Sequence, residues 1–460
     1  MIGNGSNGTT SGSAGHSPWR RWPVILTALF ALIWSVHRAL VQSITLDEAD
    51  TFHHWVAPIS PAHWDPHSNN HVLNSTLMRL SIWLFGLSPL TLRIPALLGG
   101  LLYIFAMYRL CALLTSNLAL KWALFVCLVY NPFIMDYLVA ARGYGLALGF
   151  LGLAMYLLAR TLVLVGEGEP SEREILNDAA GISACVGLSI CANFSFAFAD
   201  GFLLLIAGSL AWVWMIRQKL GIRAWARLAL RCSIPVLMIL LILAGSALTQ
   251  FPRDQLLWGS HSLADTVHEI RQSSLIELNP YLVNPLLAAF LHEFEGRAVR
   301  LFTLPAMVYL ALLLLARRQL RESCAGSRLL LAASLALVLA LAVAAHWLQF
   351  KLLKIPLPLE RTSIWVVPLY TVVVGAVLSV APSHWIQRAV RGLGVALLTI
   401  TGFYFAGELR DSYFNEWRSC AEVKAAFPVV LDLCRRAGVR EVPSSFNLTP
   451  SLNSITSFTR

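Results

Sequence analysis

The sequence predicts an all-α integral membrane protein with about eleven transmembrane helices, external interfacial helices in the first and fourth outer loops, and a small external C-terminal segment. Three observations predict it. Hydrophobic residues make up 57% of the 460 residues and charged ones 13%, with a mean hydropathy of +0.64; a soluble domain carries roughly a quarter charged residues. Apolar runs long enough to cross the hydrocarbon core recur along the chain. The Lys and Arg residues fall mostly in short loops between those runs. The net charge of +10 therefore reads as membrane topology and lipid-headgroup contact rather than as a nucleic-acid surface.

Residues 1–19 are Gly-, Ser-, Asn- and Thr-rich and read as a disordered cytoplasmic tail. Arg20 and Arg21 precede the first apolar run, and no small-residue cleavage site follows, so that run is expected to be a start-anchor helix. Residues 20–407 form the polytopic domain and 408–460 the external C-terminal segment. The apolar runs fall at 22–42, 94–114, 120–139, 143–165, 179–199, 201–216, 231–250, 300–316, 328–347, 364–381 and 391–407. Between the first two, Leu73 to Phe85 within 72–92 is short for a span and is expected to be interfacial or re-entrant.

Orientation follows from the basic residues in short loops. Arg20 and Arg21, Arg109 and Lys121, Arg160 and Arg173, the segment Arg217 to Arg231, Arg317 to Arg328, and Arg388 with Arg391 share one side if the eleven runs alternate. The N-terminus is then cytoplasmic and the C-terminus periplasmic or external, in a bacterial inner (plasma) membrane. The outer face carries the first loop, 43–93, the short connection with Asp136 and Arg142, the long loop 251–299, and the loop 348–363 together with the tail. The tail mixes a helix-like stretch, Ala421 to Ala437, with a strand-like one near Val439–Val442. Cys111, Cys127, Cys185, Cys191 and Cys232 lie in or beside apolar runs and read as small fillers, as does Cys324 in a loop; Cys420 and Cys434 are too far apart on one helix to favour a bridge.

Chemistry concentrates where the first apolar run ends. Leu46-Asp47-Glu48-Ala49-Asp50 puts three carboxylates at the membrane edge, followed by His53, His54, Asp65, His67 and His71. Charge there is costly without a partner, and a cluster of titratable groups points to a site.

Five motifs in order complete the pattern: Asp47-Glu48; Asn70-His71; Leu84-Phe85-Gly86 with Leu92-Arg93-Ile94-Pro95-Ala96-Leu97; Asn131-Pro132-Phe133 leading to Ala141-Arg142-Gly143-Tyr144; and Glu360-Arg361-Thr362 with Pro368. Over roughly residues 20–380 the chain resembles the polytopic GT-C glycosyltransferases of the dolichyl- or polyprenyl-phosphate-sugar type, the protein mannosyltransferase and aminoarabinose transferase relatives. The resemblance implies transfer of a hexose or pentose from a polyprenyl-phosphate donor to a lipid, glycan or protein acceptor on the external face, with inversion. Asp47 matches the first-loop acid and is the expected base; Glu48 either shares that role or orients it. Asp136 is a supporting acid that either pairs with Arg142 from the preceding turn or acts as a second acid of the site. Arg142 and Arg361 suit the leaving phosphate through their planar donor forks, and His71 and Tyr144 complete the substrate contacts. Two positions depart from the family: Ala140 stands where many relatives carry Glu before the Ala-Arg pair, and His71-Val72-Leu73 stands where relatives often show His-Pro-Pro.

No cofactor is firmly predicted. A divalent metal is not favoured, because the loop histidines lack ligand spacing: His53 and His54 are adjacent, and Pro66 disfavours a helix between His63 and His67. Trp55, Trp64 and Trp83 read as an interfacial aromatic belt, and Asn447-Leu448-Thr449 as a common glycosylation-type tripeptide. The competing function is a lipid-linked-sugar transporter or flippase. It would need polar residues in mid-membrane, for which Asn193 and Asp200 are the candidates.

Overall fold

The computed structural model describes residues 22–57, 67, 69–168, 170–245, 258–289, 297–315, 325–382 and 384–436. It is an all-α integral membrane protein. Sixteen named helices organise these residues: α1 (Trp22–Val41), α2 (Leu46–Thr51), α3 (Val72–Phe85), α4 (Pro89–Leu114), α5 (Leu118–Val129), α6 (Pro132–Tyr137), α7 (Tyr144–Glu167), α8 (Glu172–Ala192), α9 (Ala197–Arg217), α10 (Ile222–Ile239), α11 (Leu263–Ser274), α12 (Ala298–Leu315), α13 (Ala325–Leu353), α14 (Val366–Ser379), α15 (Trp385–Gly407) and α16 (Val423–Arg436). No ladder of strands occurs among the described residues; the single β-bridge joins Ser260 to Leu357.

Each of the eleven apolar runs carries a helix. Nine helical segments among the described residues are long and apolar enough to cross a membrane, and Leu118–Val129 and Thr303–Leu315 are shorter. The run at 120–139 is therefore not one span. Asn131 caps a new helix by accepting from the Phe133 amide, and Pro132, which has no N–H to lose, starts it. The boundary drawn near residue 200 moves to Asn193, whose side chain accepts from the Ser195 amide and begins the next segment. The loop 348–363 holds no interfacial helix: α13 runs on to Leu353, Pro356 and Pro358 stop it, and a 3-10 turn, Glu360–Ser363, follows. The long loop 251–299 carries α11. In the tail, α16 matches the expected stretch, whereas residues 439–442 lie outside the described residues.

Small residues set the packing at the centre. A Cβ on Gly99 of α4 would lie 2.4 Å from the Gly145 carbonyl carbon and the Leu146 amide of α7, and one on Gly149 would lie 2.6 Å from the Gly99 oxygen. Two apolar helices in lipid gain contact mainly by close backbone approach, which only glycine permits here. Gly99→Ala is expected to lower stability by about 1–3 kcal/mol, because the helices must separate. Thermal unfolding in detergent measures it. Gly201→Ala is the control, since nothing lies within 4 Å of that Cβ position.

Candidate functional site

α2 begins with a capping box. The Thr45 hydroxyl accepts from the Glu48 amide at 3.1 Å, and the Glu48 carboxylate accepts from the Thr45 amide at 2.9 Å. The same carboxylate is fully buried and takes two bonds from Arg93 of α4, Nε to Oε1 at 2.9 Å and Nη2 to Oε2 at 2.8 Å, plus the Ala141 amide at 2.9 Å. Burial raises the Glu48 pKa, but the Arg93 charge and hydrogen bonds, with the Thr45 and Ala141 amides, outweigh it and hold the group below its ordinary value. Glu48 therefore stands as an anchor between three segments. Its oxygens are taken by Arg93 and the Thr45 and Ala141 amides, which suits an orienting role rather than a shared base.

Asp47 precedes it in the chain and keeps its side chain 22% exposed. Its Oδ2 lies 3.1 Å from Arg361 Nη1 and 3.7 Å from Arg142 Nε. Arg142 is buried and donates to the Asp47 carbonyl at 3.2 Å, to Thr51 Oγ1 at 2.7 Å and to Asn69 Oδ1 at 3.4 Å. The turn that presents it needs Gly143 at φ +76°, where a Cβ would meet the Ala192 oxygen at 2.3 Å. Arg361 sits on the 3-10 turn. Its approach is pinned by paired Ser260–Leu357 backbone bonds (2.9 and 2.8 Å) and by Thr266 donating to the Pro358 carbonyl. Glu360, just before it, adopts φ +47°, a costly conformation for a side-chain-bearing residue and one found at functional sites.

His71 and Tyr144 join this cluster. His71 caps α3, is buried, and has no hydrogen-bond partner on either ring nitrogen. Burial, then Arg142 and Arg361, hold its pKa well below the ordinary imidazole value, so the ring is neutral. Its ring meets Tyr144 edge-on at 5.5 Å, and Tyr144 meets Tyr137 at 4.7 Å. Two buried ring nitrogens without a partner, beside two guanidiniums, leave unmet hydrogen-bonding capacity in this cluster.

Asp136 is placed differently from the expectation. It binds Arg38 of α1 (Nη2 to Oδ1, 2.6 Å) and accepts from the Asn415 amide at 2.7 Å, rather than pairing with Arg142. Arg38 and Arg93 lie over the Phe414 ring at 5.1 and 5.2 Å. These contacts strap the segment 408–424 across the end of α1, with Gln42 donating to the Tyr413 carbonyl and Ser43 to the Ala421 carbonyl. The strap delivers a residue that sequence reasoning missed. The Glu416 Oε2 accepts from the Tyr137 hydroxyl and lies 3.6 Å from Arg361 Nη1. Burial, partly offset by Tyr137 and Arg361, pushes its pKa up to about 7. Arg38 carried a signal, being a lone charge inside the first apolar run; Glu416 carried none.

The remaining loop residues pair among themselves. His54 bonds Asp50 at 3.0 Å on the surface, and His67 lies against Trp55 with ring centroids 5.6 Å apart. Trp55 is buried rather than interfacial, whereas Trp83 is 78% exposed as a belt residue would be. His63, Trp64, Asp65, Cys324 and Asn447 lie outside the described residues. Among the described residues, no group of three or more His, Cys, Asp or Glu could hold a metal ion. Asp200 is buried near the start of α9, and Asn193 precedes that helix; both sit at the site's end of the bundle rather than at mid-helix. An apolar groove of about 580 Å³ opens between α13 and α14, lined by Leu339, Val343, Trp347, Tyr370 and Val373, with Leu263 of α11 at its edge.

No protein-family profile matches the chain. No curated protein matches it either. Among solved structures it is similar to ArnT from Cupriavidus metallidurans in the apo state, at 17% identity over 95% of this chain and 75% of that one, with a TM-score of 0.46. It is similar to the same protein bound to undecaprenyl phosphate, at 16% identity, the same coverage and a TM-score of 0.44. It also resembles AglB from Archaeoglobus fulgidus, an archaeal oligosaccharyltransferase in complex with an inhibitory peptide and a dolichol-phosphate, at 13% identity over 93% of this chain and a TM-score of 0.46. The match spans 61% of AglB, less than two thirds of its length.

Proposed function

We propose that this protein is a membrane glycosyltransferase that moves a sugar from a polyprenyl-phosphate-linked donor to an acceptor on the external face. The observation that carries the reading is the Asp47 carboxylate, part-exposed and flanked by Arg361 and Arg142, beside a buried neutral His71 with both nitrogens open. Glu48 and Asp136, by contrast, are consumed by arginines inside the fold.

The chemistry follows from that arrangement. Asp47 accepts the proton of an acceptor hydroxyl or amine as that atom bonds to the anomeric carbon from the face opposite the phosphate. The bond from the anomeric carbon to the phosphate oxygen breaks, its electron pair leaves with the phosphate, and the configuration inverts. The donor phosphodiester carries one negative charge and the departing phosphomonoester gains a second. Arg361 and Arg142 are placed to offset that growing charge, which is where fixed donors lower a barrier most. His71 and Tyr144 orient the sugar or the phosphate.

The apolar groove supports a lipid donor. Tyr370 and Val373 lie on the helix that begins just after Arg361. The helix starts at Val366, and at 1.5 Å per residue Tyr370 is roughly 6 Å along it, so a phosphate at Arg361, near the head of this helix, leaves its isoprenoid tail running into the groove.

The test is reconstitution of the purified protein with a panel of polyprenyl-phosphate sugars, comparing wild type with Arg361→Ala. Wild type should transfer sugar. The variant should raise the donor KM by roughly 10- to 100-fold, the loss expected for a charge-assisted phosphate contact of about 1.5–3 kcal/mol. Transfer by neither protein across the panel overturns the reading. An unchanged donor KM in the variant removes Arg361 from phosphate binding.

A further inference from the structure

Arg361 is the one residue on which three demands meet. Its Nη1 lies 3.1 Å from Asp47 and 3.6 Å from Glu416, and a lipid phosphate would be a third anion at the same guanidinium. A cation held by two carboxylates has little attraction left for a phosphodiester, and a second carboxylate beside the phosphate repels it. We propose that Glu416 is a positioning residue that competes with the donor phosphate for Arg361, so that donor binding is coupled to uptake of one proton by Glu416. The inference rests on the reading of the site as a polyprenyl-phosphate-sugar transferase.

The surroundings suit that role. Glu416 Oε2 is engaged by Tyr137 and Arg361, while its Oε1 is buried and has no hydrogen-bond partner, leaving a position for the proton. The titratable and charged groups that face it are Tyr137 and Asp136 of α6, Tyr144 of α7, Arg361 and Glu360 of the 3-10 turn, and Asp47 of α2 across Arg361. On its own segment, Arg418 is turned to Asn415 and exposed. Asp136 is neutralised by Arg38, so Glu360 and Glu416 are the carboxylates left to share Arg361 with Asp47. Burial already places the Glu416 carboxyl at about 7, so a small further push from an arriving phosphate protonates it near neutral pH. The sign follows. Below that value Glu416 is neutral and Arg361 faces one carboxylate, Asp47, instead of two, which leaves more of its charge for the phosphate; above it the ionised Glu416 shares Arg361 as well and donor affinity falls. The proton is drawn from solvent and returns there when Arg361 is recaptured.

The experiment uses the full-length protein in lipid nanodiscs and undecaprenyl-phosphate-glucose as probe. Its phosphodiester keeps one charge across the range, so any change in affinity belongs to the protein. Between about pH 6 and pH 8.5 the wild-type Kd should rise about tenfold, within the limit of tenfold per unit set by binding of one proton. Glu416→Gln should be flat to within about twofold and should bind at least as tightly as wild type at the alkaline end. Glu416→Asp, which keeps a carboxylate, should retain the rise. A flat wild-type profile, a Gln variant with the wild-type slope, or an Asp variant that loses it overturns the role of Glu416 while leaving the transferase reading intact. Failure of the wild type to bind or transfer from this donor or the wider panel overturns both.

Discussion

Asp47→Asn is expected to reduce kcat for sugar transfer by about 10²- to 10⁴-fold, the contribution of a positioned general base. The substitution is isosteric and the side chain is part-exposed, so the fold should survive it. It removes the charge that the acceptor proton needs and frees Arg361 and Arg142 from one carboxylate. Donor KM should therefore stay level or fall while kcat collapses, a split that a misfolded or donor-blind variant would not produce. Steady-state kinetics at matched protein levels, with thermal unfolding alongside, reads both. A variant with wild-type kcat removes Asp47 from the chemistry, and Glu416 then becomes the carboxylate to test as base.

The sequence made the architecture legible because apolar length and basic loops are local properties. The first run at 22–42 became α1 at Trp22–Val41, and the short stretch from Leu73 to Phe85 became α3. The candidate cluster was legible where it rests on charges near helix ends: Asp47, Arg142 and Arg361 lie together. It was not legible where a charge is consumed by a distant partner. Nothing near Glu48 announces Arg93, 45 positions on. Nothing near Asp136 announces Arg38, 98 positions back, and its proximity in sequence to Arg142 suggested the wrong arginine. Glu416 reaches Tyr137 across 279 positions. It does so only because the 408–424 strap is tied to α1 by Asp136, Gln42 and Ser43, which no periodicity encodes.

The Glu48–Arg93 pair carries the largest stability effect. Glu48→Gln keeps the shape of the side chain but leaves a fully buried guanidinium without its countercharge, and truncating one partner of such a pair costs about 3–5 kcal/mol. The pH dependence agrees in sign. The folded Glu48 pKa lies below its ordinary value. The stabilisation is therefore complete above the unfolded carboxylate value and is lost as the pH falls through the lower, folded one. Wild type should lose thermal stability in acid, while Glu48→Gln should lack that part of the acid sensitivity. Removing both partners separates two sources of stability. Replacing a buried ion pair by apolar side chains can be nearly neutral, but Arg93 also donates to the carbonyls of Ala39, Gln42 and Ser43 at 3.1, 3.0 and 2.7 Å. Those carbonyls end α1, and an apolar residue leaves them buried without donors. Glu48→Met with Arg93→Met should therefore be no more stable than Glu48→Gln alone. If the double variant recovers wild-type stability, the pair serves only itself. If it does not, the backbone groups that the two side chains serve, the α1-end carbonyls at Arg93 and the Thr45 and Ala141 amides at Glu48, are what hold these segments together around Asp47.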